Sequence, residues 1–220
     1  MRKLLLLSIS LLGSTFSSAQ GFKLDASYQY LQSGQLDEAI KTYNFSRPFL
    51  AEKQPFLTNG LNTSISYVFK SDKNFKHGIN LSYAYFPSLS ENENFNNKLN
   101  LHFLNLGYIL HYENAEKWRG LYCDLLVSAT SSVIFRKLNG EPFVYDETKS
   151  KAFGIGGDIK FRLGYCIKSK RRNHASPFIA VGCAPYFYSP NNEAVINQTK
   201  GLVVNNWSGL FTTQIGIAFH

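Results

Sequence analysis

Hydrophobicity in this chain alternates residue by residue, over and over. Between Phe153 and Ile167 one face reads Phe153, Ile155, Gly157, Ile159, Phe161, Leu163, Tyr165 and Ile167, and the other Gly154, Gly156, Asp158, Lys160, Arg162, Gly164 and Cys166. A helix, with a period near 3.6, would scatter the two sets around its circumference. A strand, with a period of two, separates them. The same split recurs at 23–30, 61–69, 77–86 and 211–219. The pattern predicts eight strands, near 22–32, 57–70, 75–86, 98–112, 120–135, 149–167, 175–188 and 206–219. In 98–112 the apolar face changes phase near Phe103–Leu104, the mark expected of a β-bulge. Pro177 and Pro185 are expected to end or weaken the seventh strand.

The connections alternate in length. Segments 71–74, 113–119 and 168–174 are short, whereas 33–56, 87–97, 136–148 and 189–205 are long. An up-and-down sheet with an even number of strands puts all short turns at one end and all long loops at the other. Outer-membrane barrels have that layout, with short periplasmic turns, long external loops and both termini in the periplasm. Gln35–Thr42 is expected to form a short helical turn in the first loop.

The N-terminus fits export. Arg2 and Lys3 precede an apolar stretch, Leu4–Leu12, and Ser17, Ser18 and Ala19 supply small residues before Gln20. Residues 1–19 are read as a signal peptide and 20–220 as one barrel domain. Export permits disulfides, but Cys123, Cys166 and Cys183 are odd in number and lie in strands, so they are read as small buried apolar side chains. A single bridge between two of them remains open.

Two exported barrels fit an eight-stranded meander. A soluble lipocalin-like barrel has an apolar interior, which would bind a small hydrophobic ligand; a membrane barrel is inverted. The polar faces favour the membrane version, because they carry small residues such as Ser64, Ser66, Ser82, Ala84, Gly154 and Gly216, which suit a crowded lumen. Tyr28, Tyr30, Tyr67, Phe69, Tyr83, Tyr85, Phe153 and Tyr165 gather toward strand ends on the apolar faces, as interfacial girdles require. Charged residues are only 17% of the chain, and its mean hydropathy is slightly negative. No run after the leader has the ~18–20 apolar residues of a membrane helix. The Ser18-Ala19-Gln20 leader end, the eight alternating strands and the aromatic-rich final strand Phe211–Phe219 together resemble a small outer-membrane β-barrel protein of the Bacteroidota type. At fold level the chain is similar to the OmpA transmembrane domain and OmpX. That resemblance implies an all-β, antiparallel, transmembrane barrel in the outer membrane.

On the inner face the alternation places Lys23, Asp25, Asp124, Asp158, Lys160 and Arg162. Three acids and three bases in a narrow lumen should pair, because unpaired buried charge is costly. A lumen filled by ion pairs is expected, with a gated ion path as the alternative. Lys168, Lys170, Arg171 and Arg172 make a basic periplasmic turn, suited to lipid headgroups or to an acidic envelope protein. Nucleic acid fits neither the compartment nor the motif content. In the loops Tyr43, Phe45, Phe49 and Phe95 are candidates to bind a glycan or protein, or else to pack over the mouth as a lid.

Nothing in the spacing demands catalysis, a cofactor or a metal. The one enzymatic reading is lipid A modification by His102 with Ser88, Ser90, Glu91 or Glu93 nearby. The expectation is a monomeric, non-enzymatic outer-membrane barrel surrounded by membrane lipid, serving envelope structure or surface binding. An accessory barrel of a secretion or motility assembly is the other non-enzymatic reading.

Overall fold

The computed structural model describes residues 21–48, 52–69, 74–92, 95–113, 120–139, 148–167, 175–188 and 208–219. Eight antiparallel strands follow one another around a closed barrel: β1 (Phe22–Ser33), β2 (Asn59–Val68), β3 (Phe75–Asn92), β4 (Phe95–Glu113), β5 (Leu121–Asn139), β6 (Thr148–Tyr165), β7 (Ala175–Tyr188) and β8 (Ser208–Phe219). β8 pairs back onto β1, with Phe219 opposite Leu24 and Leu210 opposite Ser33, so the sheet has no free edge. One helix, α1 (Gly34–Phe45), follows β1 directly. It is longer than the short turn expected from the sequence.

The outside of the barrel is apolar. Leu61, Leu106, Ile155 and Ile215 all stand outward and are each more than 60% exposed. A continuous apolar surface of this kind does not suit water. It suits hydrocarbon, and the inner face carries Asn62, Ser64, Ser66, Asn80, Ser82 and Asn105, all buried. This polarity rules out the lipocalin-like alternative. Aromatic rings bound the apolar band. Toward the periplasmic end Phe22, Tyr67, Phe69 and His77 pack in sequence at 4.9–5.4 Å, and Phe75 meets Tyr112 at 4.5 Å. Toward the outer end His102 is packed among Tyr83, Tyr85 and Phe135. From His102 to Tyr112 the strand advances about 33 Å, or about 25 Å along the axis of a barrel with strands tilted about 40°, which matches the apolar band of such barrels.

The β-bulge expected near Phe103–Leu104 is absent. β4 keeps continuous register with both β3 and β5. What changes at that point is the surroundings. Below it Leu104, Leu106, Tyr108 and Leu110 point outward into lipid, and Asn105 and His111 point inward. Above it Lys98, Asn100 and His102 point outward, and Leu99, Leu101 and Phe103 point inward. The strand rises out of the apolar band into water, and there it builds an ordinary dry core. A register shift does occur, between Ile155 and Gly156 on the β6–β7 ladder.

Segment 87–97 is not a long loop. β3 and β4 stay paired up to Asn92 and Phe95. Ser88, Ser90 and Asn97 within it are inward hydrogen-bonding groups rather than loop residues, as described below. The seventh strand likewise runs unbroken past Pro177 and Pro185, which lie toward its two ends, where few ladder bonds are forfeited.

The outer tier holds the largest core. Leu36, Ala39, Ile40 and Tyr43 form one stripe of α1, spaced as a helix requires, and pack onto Leu31, Phe86, Leu99, Leu101, Ile134 and Leu210 of the barrel wall. Ser33 caps the helix: its Oγ accepts a hydrogen bond from the Leu36 N–H at 3.3 Å. The β1 ladder thus ends in a residue that turns the chain inward over the mouth. At the other end Gly120 has φ +103°, a conformation open to glycine, at the entry to β5.

Candidate functional site, a lumen closed at two levels

Strand register assembles the lower closure. Asp124 of β5 lies between His111 of β4 and Arg162 of β6, which are its partners on the two flanking ladders. All three face inward and are buried, and Asp124 is fully so. The His111 Nδ1 lies 2.6 Å from Asp124 Oδ1. Across the lumen, β1 contributes Lys23 and Asp25. Arg162 Nη2 is 2.7 Å from Asp25 Oδ2, its Nη1 is 3.5 Å from Asp124 Oδ2, and Lys23 Nζ is 4.0 Å from Asp124 Oδ1. Lys23 Nζ also lies 3.1 Å from His111 Nδ1, and Ser64 Oγ donates to Asp25 Oδ2 at 2.6 Å.

The charges in this cluster balance, two carboxylates against one guanidinium and one ammonium. Such balance is what lets ionised groups persist in a tight, low-dielectric space. Apolar rings complete the seal. Phe178 lies against the Arg162 guanidinium at 4.2 Å, and Tyr122 lies against Lys23 at 4.9 Å. Gly164 is required there, since a Cβ on it would strike the Tyr122 ring. At the periplasmic rim Glu113 connects the cluster outward, 3.7 Å from His111 Nε2 and 3.8 Å from Lys76 Nζ.

Lys160 and Asp158 stand apart from this cluster. They pair with each other at 2.5 Å along β6. The small cavity beside them is lined by Gln29, Asn105, Thr130 and Thr212, and its free volume, about 10 Å³, has room for the centre of one water.

The upper closure is the lid. Tyr43 and Ile40 of α1 have no exposed surface. Arg136 rises from β5 beneath Tyr43, 5.1 Å from its ring, while Arg47 approaches the ring at 4.2 Å. Arg136 Nε donates to Asn97 Oδ1 at 3.0 Å, Asn97 Nδ2 donates to Gln54 Oε1 at 2.8 Å, and Gln54 Nε2 donates to Ser88 Oγ at 2.6 Å. Ser90 Oγ donates to the Glu52 carbonyl and Ser88 Oγ to that of Pro55. The segment after α1 is therefore fastened to the β3–β4 extension.

The six lumen residues expected from alternation all lie inward and buried, but in two groups rather than one network. His111, Arg136, Asn97 and Gln54 lie outside those expectations, and Ser88, a candidate beside His102 in the lipid A reading, instead fastens the lid. For His111 and Arg136 the signal was available: each continues the inward parity of its strand. Of the loop aromatics, Tyr43 is turned inward as part of the lid and is no surface contact, whereas Phe45 is 89% exposed. Phe95 opens β4 opposite Asn92; its side chain lies outside the described residues, as do Phe49, the basic residues Lys168, Lys170, Arg171 and Arg172, expected to form a turn, and residues 1–19, expected to be a signal peptide.

The arrangement proposed for lipid A chemistry does not assemble from His102 and the serines. Ser88 and Ser90 point inward and are buried, whereas His102 is on the outer surface, held by Tyr83 at 2.6 Å. A nucleophile and base on opposite sides of the wall share no substrate. Among the described residues no three His, Cys, Asp or Glu side chains converge on a metal position. The cysteines are free, and Cys183 is exposed on the outer surface rather than packed inside.

The chain matches no protein-family model and no curated relative. Among solved structures it is similar to the attachment invasion locus protein Ail of Yersinia pestis, crystallised with the heparin analogue sucrose octasulfate, at 9% identity over 91% of this chain and 99% of that one, with a TM-score of 0.48. Neisserial surface protein A is similar at 10% identity, covering 90% and 94% of the two chains, with a TM-score of 0.47. The outer membrane protease OmpT of Escherichia coli is similar at 9% identity, covering 91% and 97%, with a TM-score of 0.45. The barrel's own surfaces, rather than these distant likenesses, fix its place. A closed sheet that is apolar outside, polar inside and ringed by aromatic residues at two heights is an outer-membrane β-barrel.

Proposed function

We propose that the protein is a non-enzymatic, non-conducting outer-membrane barrel that serves the envelope as a structural or surface-binding element. The observation that carries this reading is the double closure: Tyr43 and Ile40 seal the outer mouth, and Arg162 ties β1, β5 and β6 together across the axis below. A lumen closed twice has no continuous water path for solutes. It is surrounded by lipid as a monomer, and it meets other molecules from its outer surfaces. Phe45, presented on the lid with Arg47 nearby, is the side chain best placed to meet a glycan or protein outside the cell.

Reconstitution into planar bilayers tests the reading. The parent barrel should show no steady conductance at moderate voltage. A persistent ohmic channel in correctly folded protein would overturn it and favour a pore.

A further inference from the structure

Lysines leave one sector of the barrel wall together. Lys98 of β4 is paired in register with Lys137 of β5, and Lys137 with Lys149 of β6. One outward position lower on β6, Lys151 is opposite Phe135. The side chains of Lys98, Lys137 and Lys151 are all exposed on the outside. With strands about 4.8 Å apart and same-face residues about 6.8 Å apart along each strand, these charges fall within roughly 15 Å of one another. Like charges placed directly across a ladder repel. No acidic residue among those described is paired in register with Lys98 or Lys151.

Among the described residues the sector is one-sided. At comparable height β1, β2 and β8 show Gln32, Asn59 and Phe211 to the outside, none of them charged.

Height and shape indicate what lies against these lysines. Directly below them is the upper aromatic belt, with His102 held by Tyr83, and with Lys151 over the Phe153 ring at 5.4 Å. The lysines therefore stand at the level of the outer-leaflet headgroups, above the hydrocarbon. Directly beneath Lys137 stands the ring of Phe135, and the wall falls away only below the belt, where Ala129 is paired with Gly157 and a Cβ placed on Gly157 would make only an ordinary contact with one backbone oxygen. Leu104 and Leu106 flank this trough.

We infer that this sector is a binding site for the phosphorylated headgroup of an outer-leaflet glycolipid, with Lys98, Lys137 and Lys151 on the phosphates and an acyl chain in the trough over Ala129 and Gly157. The site lies on the outer wall and does not depend on whether the lumen conducts. Lysine suits it, as a mobile point charge able to follow a headgroup.

The test is native mass spectrometry of the full-length barrel in detergent, titrated with diphosphorylated lipid A and, separately, with the same lipid stripped of its phosphates. The parent should retain the phosphorylated lipid about tenfold better. Lys98→Ala, Lys137→Ala and Lys151→Ala together should lower that retention about tenfold and leave the stripped lipid unchanged, and the corresponding three Lys→Arg changes should preserve binding. Equal retention of the two lipids by the parent overturns the site. So does undiminished binding by a folded triple-alanine variant. If that variant does not fold, the comparison of the two lipids on the parent decides alone.

Discussion

Arg162 and Asp25 meet at 2.7 Å although they come from β6 and β1, strands separated by β7 and β8 around the barrel. Asp124, which also faces Arg162, stands on β5, diametrically opposite β1. One guanidinium thus braces the barrel across its axis, a task for which its planar, multi-donor shape is suited.

Removing that brace should be costly. Arg162→Ala leaves two buried carboxylates facing each other with one ammonium, and loss of one partner of a buried pair costs about 3–5 kcal/mol. The folded form, followed by its heat-dependent mobility on gels and by urea unfolding in vesicles, should be lost under milder conditions. Adding Asp25→Asn should recover part of the deficit, since it removes the charge left uncompensated. Unchanged unfolding of Arg162→Ala would show that the cluster fills space without bracing anything.

The lid should loosen independently of the barrel. Tyr43→Ala removes a fully buried ring from the outer core, a change worth about 3 kcal/mol for an aromatic side chain. Amide exchange in α1 should accelerate while exchange in the β4–β5 ladder stays slow. Equal acceleration in both would mean that lid and wall unfold as one unit.

Lid stability should also depend on pH through Asp37. Partial burial at the first turn of α1 pushes its carboxyl above the ordinary value, more than its hydrogen bond to the Ser33 backbone and its neighbour Lys41 hold it down. A carboxyl raised in the folded state favours folding while protonated. The lid should therefore be firmest below the ordinary range near pH 4 and loosen as pH rises through the raised value. Proteolysis of the segment containing α1 should become faster over that window, and Asp37→Asn should flatten the dependence. A rate independent of pH in the parent would remove Asp37 from the account.

Outward positions on β4 should differ by depth. Arginine at Leu106, near the middle of the apolar band, should cost about 2–4 kcal/mol, and at Asn100, above the band, about 0–1 kcal/mol. Equilibrium folding into vesicles measures both. Equal costs at the two positions would contradict the boundary drawn at Phe103–Leu104.

Much of this was written locally in the chain. Period-two alternation determines which side chains share a face, so the inward set of Lys23, Asp25, Asp124, Asp158, Lys160 and Arg162 is readable from sequence, as is the barrel that holds it. What alternation cannot report is height. The inverted stretch Leu99–Phe103 looks like a slipped register until the surroundings of each tier are known, because the same parity buries leucine above the membrane and asparagine within it. Nor can it report partners across the axis. Arg162 finds Asp25 rather than neighbouring Asp158 because ring closure brings β1 within reach, and Tyr43 becomes a stopper because Ser33 turns the chain inward over the mouth. Face is fixed by backbone geometry one residue at a time; depth, distance and closure come only from the assembled barrel and its solvent.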